Sequence, residues 1–432
     1  MSTTLGVARP LDFSRYYKRR IALWVAYFGW SYDGLVCQQD TQNTIEEQLF
    51  AALLNTRLIP DRNSCSLKRS GRTDSGVSAF AQVFSLTVRS KMRRAAPTTV
   101  TSDCQNGVLE NSDCSSSANI SKIEAKTTTP SCSAFVAGNE CDFLVESASS
   151  SNDHDEYDYP RILNACLASD ISVVAWSPVG ASFDARHSCK RRTYKYWCLL
   201  EQGFDIDAMR LAACNLIGTH DFRNFCRIDM SAERLNQSYE RTLLDASVAV
   251  TETSSTVTSI SPVKLVELTF IGSGFLWHQI RCFVSVLASV ARRLESPEVV
   301  RHLLDIVKCP RKSQYDLASH LPLCFMNCEY DGEAQLKWRF SADTLRATVK
   351  RMQAQWIELQ IKSTITLKMI SGLGELLGET VPFTNESLIR EAAKDHSKYT
   401  PLLKRKTGDS LEEKRAKRAK KAAATNSVQS KS

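Results

Sequence analysis

The sequence predicts an α+β fold of mixed, mainly antiparallel strands and helices. Period-two alternation and apolar helical faces are interleaved without the strict strand-helix-strand rhythm of a parallel doubly wound sheet, and two alternating runs late in the chain follow one another as hairpin-like neighbours. A hydrophobic content of 43% over 432 residues supplies material for more than one core.

Residues 1–19 read as an N-terminal extension, and the first lobe spans 20–95. From Arg20 to Trp30, Ile21, Leu23, Val25 and Tyr27 alternate, giving a strand that ends in a Gly-containing turn. Thr44-Ile-Glu-Glu47 matches a capping box, and Ile45, Leu49, Leu53 and Leu54 give the helix behind it one apolar face. The run Arg69-Ser-Gly-Arg-Thr-Asp-Ser-Gly-Val-Ser-Ala79 has neither period. Its glycines, Gly71 and Gly76, permit φ > 0 and close approach of a ligand, and they set Asp74 in a tight loop beside Arg69 and Arg72. Taken alone, Gly-x-x-Asp-x-Gly also describes an ordinary turn between strands. Phe84, Leu86 and Val88 then alternate with Ser85, Thr87 and Arg89, so the loop sits at the end of a half-buried strand.

Residues 96–158 are rich in Ser, Thr, Asn and acids and read as a disordered insertion. The catalytic body resumes over 159–340, with a helix at Tyr159 to Leu167 and strands at Ile171 to Ser177 and Arg191 to Leu199, the latter with Tyr194 and Tyr196 on one face. A helix follows at Asp207 to Ile217, then strands at Leu243 to Val250 and Val263 to Ile271. A long apolar helix, Phe275 to Arg293, carries Leu276, Ile280, Val284, Leu287 and Val290 as its stripe. Within a C-terminal helical extension at 341–400, Leu345, Val349, Met352, Trp356 and Leu359 are spaced by fours and threes, a seam for docking on the body or pairing with a second copy, with core packing the expected use. Residues 401–432 form a basic disordered tail, whose Lys404-Arg-Lys406 and Lys414 to Lys421 clusters suit nuclear import or RNA contact.

Charge is unevenly spread. Of a net +8, Pro97 to Asp158 carries −9 and Lys404 to Lys421 carries +6, leaving +11 on the remaining body. Such a body suits a polyanion, nucleic acid first. No stretch approaches the ~20 apolar residues of a membrane span, and the opening Met-Ser-Thr-Thr-Leu-Gly lacks the pattern of a secretory signal, so the expected setting is intracellular. The fifteen cysteines include no Cys-x-x-Cys and read as reduced thiols. Neither a phosphate-binding Gly-x-x-x-x-Gly-Lys nor metal-spaced histidines occur, which disfavours a nucleotide- or metal-dependent enzyme; His220 and His278 read as structural histidines.

Three runs join the Asp74 loop as candidate chemistry. Phe183-Asp-Ala-Arg-His-Ser-Cys-Lys-Arg-Arg-Thr-Tyr-Lys-Tyr196 mixes tyrosines and bases as a strand that could stack a nucleobase and hold its phosphates, or equally as an ordinary sheet core. Gly218-Thr-His-Asp-Phe-Arg-Asn-Phe-Cys226 is a polar-aromatic loop after a helix. Gly274-Phe-Leu-Trp-His-Gln-Ile-Arg281 places Arg281 in an apolar helix, where a guanidinium needs a partner such as Asp74.

In this order and at these separations the four runs resemble the TruA-type tRNA pseudouridine synthase family, over roughly residues 20 to 330 apart from the insertion. Tyr27-Phe-Gly-Trp30, Asn43-Thr-Ile-Glu-Glu47, Gly218 to Asn224, Pro322-Leu323 and Cys328-Glu-Tyr330 are similar to the eukaryotic members that act at positions 38 and 39 of the tRNA anticodon arm. Ser75 stands where relatives usually carry Lys. The resemblance implies Asp74 as the catalytic aspartate, Tyr194 as the aromatic that packs on the target base and Arg281 as the partner of Asp74. Arg69, Arg72, Tyr196, His220, Arg223 and Gln279 are candidate substrate-binding residues. It also implies two lobes of mixed, mainly antiparallel sheet with helices flanking a basic catalytic cleft, tRNA as partner, a homodimer, no membrane, and a nuclear or cytoplasmic setting. Moving the ribose bond from uracil N1 to C5 involves no net redox change, so no cofactor and no metal are expected. An arginine within ~4–6 Å would lower the Asp74 pKa by about 1–3 units and keep it ionised, as nucleophile or base. A catalytically silent tRNA-binding or chaperone protein of this fold is the alternative. An aspartate-dependent glycosidase would need a second carboxylate about 5–9.5 Å away, for which Asp221 is the only motif candidate.

Overall fold

The computed structural model describes residues 11–94, 156–231, 234, 236–252, 264–332, 335–378, 383–391 and 396–429. All but the last three residues of the expected insertion, and the first ten residues of the N-terminal extension, lie outside the described residues. β1 (Tyr16–Tyr27) leads to α1 (Ile45–Asn55), whose Thr44 side chain accepts from the Glu47 N–H as the capping pattern requires. β2 (Lys68–Arg69) and β3 (Ser78–Arg93) bracket the Asp74 loop, and α2 (Tyr159–Asn164) and β4 (Ile171–Pro178) follow. Next come β5 (Arg191–Leu199), α3 (Ile206–Cys214), β6 (Gly218–Asp221), β7 (Glu240–Glu252) and β8 (Lys264–Gly272). The chain continues through α4 (Gln279–Ala291), α5 (Val299–Leu304), β9 (Leu323–Glu329), α6 (Ala342–Leu377) and α7 (Leu411–Gln429).

The strands form one mixed, mainly antiparallel sheet in the order β4-β1-β3-β9-β5-β8-β7-β6, with β2 added on β3. Its two antiparallel halves meet where β3 runs parallel to β9, through only Ser78↔Cys324 and Ala79↔Phe325. This join falls directly after the Asp74 loop. β1 reads as an alternating strand, yet Ile21 to Tyr27 is buried on both faces because β3 and β4 flank it and helices cover the sheet. β5 keeps the expected alternation, with Arg192, Tyr194, Tyr196 and Cys198 all buried on one face.

α4 is apolar almost all round, as a core helix is, and Arg281 is its one residue that is not buried. Around it Phe222, Phe225 and Phe270 place their rings 5.4–5.5 Å from that of Phe283. Two expectations change at the C-terminus. α6 runs fifteen residues past Lys362, and only Thr344 and Thr348 are fully buried on it; of the seam, Leu345 and Met352 pack partly buried against the core while Val349, Trp356 and Leu359 are exposed, so core packing takes up only its first turns. Periodicity identifies an apolar face but not what it meets. The tail expected to be disordered instead begins with buried Leu402 and Leu411, which anchor α7 to the body.

Candidate active site

The Asp74 loop is built by its backbone. Thr73 O accepts from Leu35 N (3.2 Å), Gly76 N donates to Tyr32 O (3.1 Å) and Val77 N donates to Asp74 O (3.2 Å). Below it the Ser70 hydroxyl donates to Gln82 Oε1 (2.6 Å) while Gln82 Nε2 donates to Gly71 O (2.8 Å). Only Gly76 of the two motif glycines needs to be glycine: its φ is +76°, and a Cβ there would lie 2.0 Å from His320 Cδ2. At Gly71 a Cβ would make ordinary contact with the Tyr194 hydroxyl at 3.6 Å.

Arg192 holds this loop to the other half of the sheet. Nearly buried on β5, it donates Nε and Nη2 to Ser70 O (3.0 and 2.9 Å), Nη1 to Ser273 O (2.6 Å) and Nη2 to Arg186 O (2.8 Å). One planar fork thereby fixes the start of the Asp74 loop and the turn leading to α4.

Asp74 keeps 35% of its side-chain surface open and meets His278 Nε2 at 3.5 Å. His278 sits at the start of α4 with φ +62°, a left-handed conformation that aims its ring at the loop. Burial, then the charges of Arg281, Arg227 and Lys312, depress its pKa to about 4, so at neutral pH it faces Asp74 uncharged. Burial raises the Asp74 pKa above the ordinary carboxylate value, opposed first by Arg281, then by the Trp277 indole, His320 and Arg227. This corrects the expectation of a lowered pKa, because desolvation outweighs the nearby cation. Nor is Arg281 in direct contact with Asp74 among the described residues: its Nε donates to Ala318 O at 2.6 Å, and it acts on Asp74 as a neighbouring charge.

Tyr194 lies against this group, buried, with its ring stacked on Phe325 at 4.9 Å and edge-on to Phe275 at 5.1 Å. Burial first, with the charge of Asp74 adding to it, pushes its phenol well up, so it stays protonated. Tyr196 shares its face but is fully buried, its hydroxyl without a hydrogen-bond partner among the described residues, which leaves it no surface on which to stack a base.

Other sequence candidates divide sharply. Arg69 is ion-paired with the buried carboxylate of Glu46. Arg72 is exposed and unpaired among the described residues; burial and the charges of Arg234, Arg69 and Arg186 hold its pKa down, opposed by Glu46. Arg223 is spent on Asp221 (2.7 Å) and Glu412 (2.6 Å), which also neutralises the one candidate for a second catalytic carboxylate. His220 Nε2 lies 3.0 Å from Ile217 O, against Phe222. Gln279 is buried and accepts from Leu276 N (2.7 Å), capping the first turn of α4. The structure brings Asp74, Tyr194 and Arg281 together, leaves Arg72 free beside them, and commits Arg223 and Gln279 to the fold.

The tRNA pseudouridine synthase family model matches residues 212–331, which include His278 and Arg281. A probable tRNA pseudouridine synthase of Caenorhabditis elegans is 36% identical over 419 residues, covering 96% of this chain and 93% of the relative. The chain belongs to the tRNA pseudouridine synthase family. The tRNA pseudouridine(38/39) synthases of Mus musculus and Homo sapiens are 35% and 34% identical, over 85% and 87% of this chain and 67% of each relative.

In this pseudouridine synthase the sequence reading misses His278, Arg192, His320 and Trp277. His278 and Trp277 stand inside a motif already singled out, but only the left-handed backbone turns the histidine toward Asp74. Trp277 is 37% exposed, with the Arg227 guanidinium 4.4 Å from its ring centroid. Arg192 is indistinguishable in sequence from exposed Arg191, which pairs instead with Glu329.

Proposed function

We propose that the chain isomerises uridine to pseudouridine at positions 38 and/or 39 of the tRNA anticodon arm, with Asp74 as its catalytic carboxylate. The observation that carries the chemistry is a half-open carboxylate set between neutral His278 and the charge of Arg281, in a chain of this family. The position is supported by the printed activity of the mouse and human relatives.

The reaction breaks the ribose C1′ bond to uracil N1 and forms one to C5; the C5 proton is lost and N1 gains one, so atoms and electrons balance without an oxidant. Asp74, ionised, acts at the sugar as nucleophile or base. Arg281 favours that ionised form and compensates part of the desolvation a bound nucleotide adds. A uridine must leave its stack to reach Asp74, and the wall of Tyr194, Phe325 and Phe275 offers it apolar contact. Arg72 and Arg186 supply positive charge beside the loop for the RNA backbone.

The same proposal includes a homodimer and a nuclear or cytoplasmic setting. Supporting the first is the exposed apolar stripe of α6, where Trp356 (61%), Leu373 (60%) and Leu377 (64%) recur at heptad-compatible spacing. Supporting the second is the Lys/Arg-rich α7.

The deciding experiment is Asp74→Ala assayed on unmodified tRNA by pseudouridine mapping. The variant should bind tRNA and form no pseudouridine. Pseudouridine formed by purified Asp74→Ala protein would remove Asp74 from the mechanism, and none formed by the unaltered protein would remove the proposed activity.

A further inference from the structure

Behind Arg281 lies a cavity of about 300 Å³ that the chemistry above does not use. One wall is Arg281, another the Asp316 to His320 segment, and the third comes from the C-terminal extension through Ser387, Leu388 and Arg390. The last wall lies outside the family-matched residues 212–331. It is nonetheless firmly built. Asn385 is buried, its amide exchanges hydrogen bonds with Leu199 N and O (both 2.9 Å), its own N–H donates to Glu201 Oε1 (2.5 Å), and Ile389 is fully buried. Ser319 N donates to Leu388 O (2.6 Å), locking the two walls together.

The charges of this cavity are unbalanced. Arg390 is exposed and has no ion-pair partner among the described residues, and Arg281 spends its Nε on Ala318 O. Asp316 is the one carboxylate of the lining, while neighbouring Glu391 is taken by Arg405 at 2.8 Å. Two guanidinium groups with the hydroxyls of Ser319 and Ser387 form a donor set for an anion with several acceptor oxygens. Arg281 belongs to this set and also acts on Asp74, so the cavity adjoins the place where the target nucleotide reacts.

We propose that this cavity is a phosphate subsite, in which Arg390 and the far side of Arg281 hold a phosphodiester of the tRNA strand flanking the target uridine. The proposal rests on tRNA being the substrate. The C-terminal extension thus contributes directly to substrate registration, by fixing which backbone phosphate sits behind Arg281 when a uridine reaches Asp74.

The test uses the full chain and an anticodon stem-loop with target uridines. Arg390→Ala, on an exposed side chain, should melt with the unaltered protein. Its Kd should rise about tenfold at low salt, and its plot of log K against log salt should be shallower by about 0.7–0.9, the slope change for one phosphate no longer neutralised. Arg390→Lys should retain the slope. A neutral methylphosphonate at the flanking phosphate should weaken binding to the unaltered protein and weaken Arg390→Ala, which retains only Arg281 there, distinctly less. Equal slopes and Kd for Arg390→Ala and the unaltered protein, or equal methylphosphonate penalties, would overturn the assignment. So would inorganic phosphate inhibiting both proteins equally at a site that leaves RNA affinity untouched. Pseudouridine formation by the unaltered protein is scored separately, so a failed subsite and a failed function remain distinguishable.

Discussion

Replacing Arg192 by Met removes the one side chain that donates at once to Ser70 O, Ser273 O and Arg186 O. Three carbonyl oxygens in or beside the core then go without their charged donors, at about 1–3 kcal/mol each, or roughly 3–9 kcal/mol in all. Burying Met instead of a guanidinium returns several kcal/mol of desolvation. The net loss is on the order of 2–4 kcal/mol, a large share of the ~5–15 kcal/mol that holds a typical domain together. In thermal unfolding this corresponds to a fall of about 5–15 °C, and urea unfolding reads the free energy directly. Because Ser70 opens the Asp74 loop and Ser273 leads into α4, the same change should cost about 10²-fold in kcat, the effect of displacing a reacting group by about 1 Å, with tRNA Kd changed far less. Arg192→Lys keeps the charge but not the planar fork and should fall between the two. A Met variant within about 1 kcal/mol of the parent, or one with normal kcat, would refute the idea that Arg192 positions the loop.

Three further outcomes follow from the same geometry. The acid limb of kcat/KM should lie above the ordinary carboxylate pKa, since burial raises that of Asp74, and Arg281→Gln should move it higher by removing the main opposing charge; a limb that stays put would detach Arg281 from Asp74. The folded protein holds the Asp74 proton more tightly than the unfolded chain, so this group lowers stability as pH rises from the ordinary value through the raised one; Asp74→Asn should gain stability at pH 7 relative to the parent, and less so near pH 4, by urea titration. Leu373→Glu, on an exposed position of α6, should leave the melting profile of the fold unchanged and convert a dimer to monomer in analytical ultracentrifugation; unaltered association would place the dimer contact elsewhere.

What is legible in the sequence is local. The Thr44 capping box, the alternation of β5 and the apolar α4 each follow from a pattern within a few turns of chain. β9 escapes such reading because its pairing with β3 and β5 lies far away in sequence, and Leu323-Cys-Phe-Met-Asn-Cys-Glu329 carries no clear period. Asp74, Tyr194 and Arg281 are recognisable because they stand in distinctive runs. His278 reads as merely structural because a backbone at φ +62° leaves no mark in residue type. Arg223 and Gln279 mislead for the opposite reason: their polarity suggests a ligand, but Asp221, Glu412 and the first turn of α4 already use it.

The parallel join of β3 to β9 spans just two residue pairs, and the candidate catalytic set straddles it. Asp74 is carried by the half of β4, β1 and β3, whereas Tyr194, His278 and Arg281 are carried by the half of β9, β5 and β8. Neither half holds the candidate site alone. The proposed chemistry is therefore a property of assembly within one chain: the acid and the cation that tunes it share an address only once the two halves of the sheet have joined. Across that narrow seam the Arg192 fork serves as the strut that sets the gap.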